Sequence, residues 1–445
     1  MIEEKLPHRK GSGDVIMDRE RKSRRSSQKK IIAANRKAHN TLLTSIVLLL
    51  IVVFFVANII SKDKTFSDNE NRPLAAKPKI GVESVKSGTF ARDFDSYYAD
   101  QFVGRDAWMK AKYNLDYLMG KREFSNIYIG KKGYLLQAPA TPNEEAVKNT
   151  ISAMNAFAGK YPDAKMYALI VPDAASIMPE MLPAKAPVRN QVKDIADIEG
   201  KLLGSFRVID AADSLNSAYK NANDATKEKG LYYRTDHHWT SLGALAVFQD
   251  ATSTLGLSME GVTYTPHTVS ESFRGTLASR SGNLSHEDTI VVYEPTGTDI
   301  IYNVYYPDSQ LRSRSMFMVD QLKEKDQYTV FFGGNHPVVE IETTSQSGRN
   351  LLIFKDSYAN SFIQFLTPFY EHIILVDPRY YYDDVSSVMK TYGITDVMYL
   401  YSADTFVVDT SLADTLNAAV NGGVEGSEGG AVSTPTDASP GDAGE

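Results

Sequence analysis

Residues 351–359 read Leu351-Leu352-Ile353-Phe354-Lys355-Asp356-Ser357-Tyr358-Ala359. Four apolar residues run without a break into a polar turn. Such a run predicts a strand buried on both faces, the kind that parallel sheets use. A serine where that strand gives way to a helix lies at the carboxyl edge of the sheet. Open α/β sheets hold their ligand crevice there. The helix itself is expected from about 359 to 369.

The alternation extends outward from this stretch. Downstream, 372–376 reads as a strand, 383–392 as a helix and 396–401 as a last strand. Upstream, 141–161 is a helix, 165–171 a buried strand closed by Pro172, 191–203 a helix and 206–210 a short strand. Residues 232–239 read as extended and lead into a helix over 240–255. Short apolar strands alternating with helices predict an α/β fold, a mostly parallel sheet flanked by helices. Residues 262–345 break the rhythm with Thr, Val, Tyr and Gly at strand-like spacing, and read as an inserted β region. Residues 126–136, NIYIGKKGYLL, read as a hairpin.

The second chemistry-bearing segment is Thr235-Asp236-His237-His238-Trp239-Thr240, between the extended run and the helix. A serine hydroxyl is a weak nucleophile and needs an adjacent base. A histidine can supply it, and a carboxylate on the other ring nitrogen fixes the tautomer and stabilises the imidazolium. Side chains two apart in an extended segment share a face. Asp236 can therefore orient His238 while His237 points away. Ser357 at a helix N-terminus would have backbone N–H groups nearby for a developing oxyanion. Plainer roles exist for the same residues. Asp356 or Ser357 can be a simple N-cap, Asp236 can cap the helix that starts at Trp239, and Asp236 with its two histidines can hold a metal. Gly333-Gly334-Asn335 can line an oxyanion hole or form a plain turn.

Composition bounds the rest. The chain has 445 residues, 42% of them hydrophobic and 23% charged, and no cysteine. Thiolate metal sites, disulfides and a cysteine nucleophile are excluded. The net charge of −7 argues against a nucleic-acid partner. That average hides a split: residues 1–40 carry a net +7 and the remainder −14. Between them, 41–61 reads TLLTSIVLLLIVVFFVANIIS, with no charged residue over 21 positions. About 20 apolar residues span the hydrocarbon core as a helix, and the basic flank faces the cytoplasm under the positive-inside rule. The expected order is a basic cytoplasmic tail (1–40), a transmembrane helix (41–61), a stalk with amphipathic helices (62–120), the α/β domain (121–420) and a disordered acidic tail (421–445).

Asp236-His237-His238-Trp239 resembles the signature of the DHHW protein family of Gram-positive bacteria. The resemblance runs from Glu70-Asn71-Arg72-Pro73-Leu74-Ala75 through Ile129-Gly130-Lys131 to Lys355-Asp356-Ser357-Tyr358-Ala359 and Asp377-Pro378-Arg379-Tyr380-Tyr381. That family is similar in turn to the SGNH-hydrolase-like (flavodoxin-like) domains of the alginate O-acetylation proteins, which carry an Asp-x-His-Trp motif upstream of Gly-Asp-Ser. The resemblance implies Ser357 as nucleophile, His238 as general base, Asp236 as its orienter and Arg379 as a substrate-binding residue. Lys355 stands where those proteins have Gly, and could place positive charge beside an anionic polymer. The activity implied is O-acetyl transfer to a cell-wall or secreted polysaccharide. It needs no cofactor, and an MBOAT-type membrane acyltransferase would be the partner. The rivals are a carbohydrate esterase with the same triad and a non-catalytic envelope protein that binds glycan or a partner.

Overall fold

A computed structural model describes residues 12–67, 72–221 and 230–422. Glu70 and Asn71 of the resemblance, and residues 423–445 of the expected disordered tail, lie outside them. The described residues divide into two compact units, 12–67 with 72–108, and 109–221 with 230–422.

The first unit begins with α1 (Ser12–Ile60). Its portion Ser27–Ile60 is long and apolar enough to cross a membrane, and none of its most apolar window is buried. Three helices follow: α2 (Val82–Lys86), α3 (Thr89–Gln101) and α4 (Arg105–Leu118), the last running on into the second unit. The amphipathic helices expected within 62–120 include the pair α3 and α4, but neither buries a residue. Phe102 and Trp108 instead lie against Phe54 of α1, with ring centroids 6.0 and 5.7 Å away.

The second unit is built on an eight-stranded sheet. Its strands are β1 (Lys165–Val171), β2 (Phe206–Val208), β3 (Tyr302–Tyr306), β4 (Leu311–Ser313), β5 (Val338–Thr343), β6 (Asn350–Lys355), β7 (His372–Val376) and β8 (Asp396–Ser402). The spatial order is β4-β3-β5-β7-β6-β8-β1-β2. Strands β7, β6, β8, β1 and β2 pair in parallel. Strands β4, β3 and β5 add antiparallel to the β7 edge. The sheet is thus mixed rather than mostly parallel. The β-rich residues 262–345 cause this, because half of them extend the central sheet. The other half form a separate hairpin, Thr263–Phe273 with Asp288–Thr296.

Strand periodicity divides the core into two layers. Leu351, Ile353, Met398 and Leu400 face one apolar layer. Leu352, Phe354, Val397 and Tyr399 face the other. Helices α5 (Glu144–Lys160), α6 (Gln191–Glu199), α10 (Val385–Thr391) and α11 (Ser411–Asn421) cover the second face. Helices α7 (Ala211–Asn221) and α8 (Ser241–Leu255) cover the first, with the hairpin. One short helix, α9 (Thr276–Ser281), joins the hairpin strands. Residues 126–136 form part of a small three-stranded sheet, Glu123–Phe124, Ile127–Ile129 and Leu135–Gln137.

The helix expected over 359–369 is absent. Two 3₁₀ turns, Ser357–Ser361 and Ile363–Phe365, take its place. Phe362, Ile363, Phe365 and Leu366 are all fully buried, so no polar face exists to orient an α-helix. Pro368 also disfavours helical geometry at the residue before it.

Candidate active site

Strand β6 delivers Ser357 to the carboxyl edge of the parallel strands. Asp356 takes the cap of the 3₁₀ turn: its Oδ1 accepts the Tyr358 N–H at 2.9 Å. Its Oδ2 accepts the N–H and hydroxyl of Ser402, at the end of β8, at 3.0 and 2.7 Å. The capping role therefore belongs to Asp356, and the Ser357 hydroxyl is left for another partner. That partner is His238, whose Nε2 lies 2.8 Å from Ser357 Oγ. Of the oxyanion donors expected at a helix start, the Tyr358 N–H is bound to Asp356 Oδ1 and the Ala359 N–H to the Asp356 carbonyl. Among the described residues no hydrogen bond engages the Ser357 N–H, the first of this turn.

His238 sits on a loop rather than on a strand. An antiparallel bridge between Tyr232 and Trp239 closes this loop at its base. Within it Asp236 Oδ1 accepts the His238 backbone N–H at 3.0 Å and faces His238 Nδ1 at 2.6 Å. The pairing of residues 236 and 238 arises from a turn in which an aspartate bonds the backbone two residues on, not from a shared strand face. Asp236 does not cap α8; Thr240 does, its Oγ1 accepting the Gly243 N–H at 3.2 Å. Trp239 donates its Nε1–H to the Tyr358 carbonyl at 2.9 Å, and Tyr358 donates its hydroxyl to the His237 carbonyl. The two motifs are thereby laced together on either side of the Ser357–His238 contact.

Residues outside both motifs complete the arrangement. Thr276, the first residue of α9, donates its N–H at 2.8 Å and its hydroxyl at 3.0 Å to Asp236 Oδ2. Asp288 Oδ2 accepts the N–H and hydroxyl of Thr235 at 2.7 and 2.6 Å, which fixes the loop just before Asp236. The Tyr328 ring stacks on His238, centroids 3.9 Å apart and 11° from parallel, and its hydroxyl donates to the Ser357 carbonyl at 3.1 Å. On its other contacts His238 meets His237, also at 3.9 Å between centroids. Thr276, Asp288 and Tyr328 are missed by sequence reasoning. They lie in the β-rich region, and no spacing relates them to either motif.

The electrostatics follow from burial and neighbours. Burial pushes the Asp236 carboxyl up, but His237, His238 and the hydrogen bonds it accepts override that and hold it well below the usual range. Asp236 is thus a carboxylate beside Nδ1–H. The His237 ring is driven down to about 4 by burial and by its neighbour His238, against the opposing pull of Asp236 and Asp356. It is neutral at ordinary pH.

Asp236, His237 and His238 offer one ligand atom each within 4.8 Å of one another. The donor chemistry does not fit a metal well. Both Asp236 oxygens already accept N–H and O–H donors, and both His238 nitrogens are engaged. The His237 Nε2 is the remaining ligand atom.

Three further sequence candidates behave differently. Lys355 is 2% exposed; its Nζ binds Asn360 Oδ1 at 2.8 Å and lies 3.9 Å from Asp377. It cannot present charge to a polymer. Burial, only partly opposed by Asp377, lowers its pKa. Arg379 forms a two-pronged ion pair with buried Asp377, at 2.9 and 2.7 Å. Its side chain keeps 27% exposure, so one edge of the guanidinium remains available. Asn335 is exposed at the end of a left-handed turn in which the N–H groups of Gly333 and Gly334 are bound to Thr329 and Phe331 carbonyls. Among the described residues no contact brings Asn335 to Ser357 or His238.

Two solved structures align with this fold at a TM-score above 0.5. A DHHW family protein from Eubacterium siraeum aligns at 22% identity with a TM-score of 0.54, over 68% of this chain and 98% of that one. Bacillus cereus PatB1, solved with a sulfonyl adduct, aligns at 18% identity with a TM-score of 0.53, over 64% and 97%. The O-acetyltransferase domain of Pseudomonas putida AlgJ aligns at 12% identity with a TM-score of 0.41, over 66% and 99%. Comparison with curated proteins gives no match. The DHHW protein family model matches residues 151–376, half of the chain and the part that carries Asp236, His238 and Ser357, and the chain belongs to that family.

Proposed function

We propose that the chain is a membrane-anchored serine acyl-transfer enzyme that moves an acetyl group onto a hydroxyl of a cell-wall or secreted polysaccharide. The observation that carries this reading is the continuous relay from Asp236 through His238 to Ser357, with contacts of 2.6 and 2.8 Å. Ser357 Oγ attacks the acyl carbon while His238 Nε2 takes its proton; Asp236 holds the imidazolium that forms. The Ser357 N–H stabilises the oxyanion. His238 then protonates the leaving group, and an acyl-Ser357 ester remains. A sugar hydroxyl attacks that ester, gives its proton to His238, and Ser357 Oγ recovers it. The choice of acetyl and of a polysaccharide follows the resemblance to alginate O-acetylation proteins.

The apolar stretch of α1 supports a single-pass anchor, and the basic residues before it support a cytoplasmic N-terminus with the catalytic unit outside. An outward-facing enzyme needs its acyl groups exported, the role proposed for an MBOAT-type partner.

The test uses the full chain in detergent with an activated acetyl ester and a sulfonyl fluoride. Wild-type protein turns the ester over and gains one sulfonyl group on Ser357 by mass spectrometry; Ser357→Ala does neither. Turnover that survives Ser357→Ala would remove the proposal. Products formed with an oligosaccharide separate transfer from hydrolysis.

A further inference from the structure

The relay leaves His237 unexplained. Its side chain is 33% exposed beside His238. Its Nδ1 lies 2.8 Å from Thr276 Oγ1, and that hydroxyl also lies 3.0 Å from Asp236 Oδ2. One hydroxyl proton serves two possible acceptors. The carboxylate is the stronger acceptor, because charge-assisted hydrogen bonds outweigh neutral ones. The Thr276 hydroxyl therefore donates to Asp236, and its oxygen accepts from His237 Nδ1–H. This assignment places the lone pair of the neutral ring on Nε2. No residue among those described is hydrogen-bonded to that nitrogen, and it is not among the buried polar atoms, so it opens to solvent next to the catalytic ring.

We infer that His237 forms an acceptor subsite, in which its Nε2 receives a hydrogen bond from a second hydroxyl of the incoming sugar, adjacent to the one that reacts. This rests on the acyl-transfer reading. The reacting hydroxyl must give its proton to His238, so it cannot also donate to His237. A neighbouring hydroxyl on the same ring can. The two imidazole rings are neighbours, centroids 3.9 Å apart and tilted by 37°, so two hydroxyls of one sugar ring can address both. A monohydric alcohol, with its single O–H given to His238, leaves His237 without a donor. The subsite thus favours a polyol acceptor over a monohydric alcohol, the preference a sugar-accepting transferase needs. The depressed pKa of the ring keeps the lone pair available at neutral pH.

The full chain is acylated with an activated acetyl ester and then offered water, ethanol, ethylene glycol or a methyl glycoside, with acetylated products quantified. In the wild type the diol and the glycoside should exceed ethanol by tenfold or more per hydroxyl. His237→Ala should lower that ratio to near one while Ser357 acylation changes by no more than a few-fold. His237→Gln, which sets an amide oxygen near the position of Nε2, should restore part of the preference. A purely structural role would depress acylation and transfer together, and that result overturns the inference. An unchanged diol preference in an acylating His237→Ala protein overturns it alone. A wild-type protein that never acylates Ser357 removes the underlying reading and this inference with it.

Discussion

Gly275 lies so close to Asp236 that a Cβ at position 275 would stand 2.2 Å from the Asp236 Cβ and 2.3 Å from its Oδ2. The backbone there is extended, so the glycine is required for space rather than for φ. Its absent side chain is what lets the Thr276 N–H reach the carboxylate at 2.8 Å.

Gly275→Ala should therefore push α9 off Asp236. Overpacking of this kind costs about 1–3 kcal/mol, and a displacement near 1 Å at a catalytic group can cost about 10²-fold in rate. Ester turnover should fall by roughly that factor while most of the fold survives. Wild-type turnover in the purified variant would show that the Thr276 clamp is dispensable.

Tyr328 acts on the relay in two separable ways. Tyr328→Phe keeps the ring over His238 and removes only the hydroxyl bond to the Ser357 carbonyl, a loss of about 0.5–1.5 kcal/mol. Tyr328→Leu removes the stack as well. Aromatic pairs add about 0.5–1.5 kcal/mol beyond area, and the imidazolium formed during the reaction benefits from a ring face. The expected order of kcat is wild type, then Phe, then Leu, with the Leu variant about tenfold or more below wild type. Equal losses in the Phe and Leu variants would place the effect in the hydroxyl alone.

Trp239 binds the two motifs into one unit. It is fully buried, stacks on Phe362 at 6.0 Å and 8°, and donates to the Tyr358 carbonyl. Trp239→Phe would leave that carbonyl unsatisfied, at about 1–3 kcal/mol, and open space in the core. The unfolding midpoint in urea should drop, and the Ser357 sulfonylation rate should drop with it, because the carbonyl belongs to the residue after Ser357. A loss of stability with unchanged sulfonylation would confine Trp239 to packing.

These relationships explain what the sequence could and could not reveal. The apolar runs at 165–171, 351–354, 372–376 and 396–401 are strands because their burial on both faces leaves a signature in every residue. Ser357, His238 and Asp236 are legible because each stands where a strand or loop gives way to a turn. The antiparallel edge strands were hidden inside a region whose alternation fits any half-exposed strand, and pairing partners cannot be read from spacing. The 3₁₀ path after Ser357 was hidden for the opposite reason: residues buried all round carry no period. Tyr328 and Thr276 reach the site from 29 and 40 residues away along the chain, through tertiary contact alone.

The pH dependence of stability carries a signature of the His237–Asp236 pair. His237 has a pKa depressed from 6.5 to about 4, mainly by burial. The unfolded chain therefore takes up this proton first. Stability from this group is complete above about pH 6.5, falls as pH drops toward 4, and changes no further below that. Asp236 is also depressed, so its contribution is complete above the ordinary carboxylate range near 3.9 and is lost only as pH falls below it. The two windows meet only between about pH 5 and 4. With the ring one third exposed, solvent screening cuts the His237 contribution to about 1–2 kcal/mol between pH 7 and 4.5. Urea unfolding of the wild type and of His237→Gln at both pH values isolates it. The wild type should lose that much more stability than the variant on acidification; equal losses would mean that His237 titrates as it does in the unfolded chain.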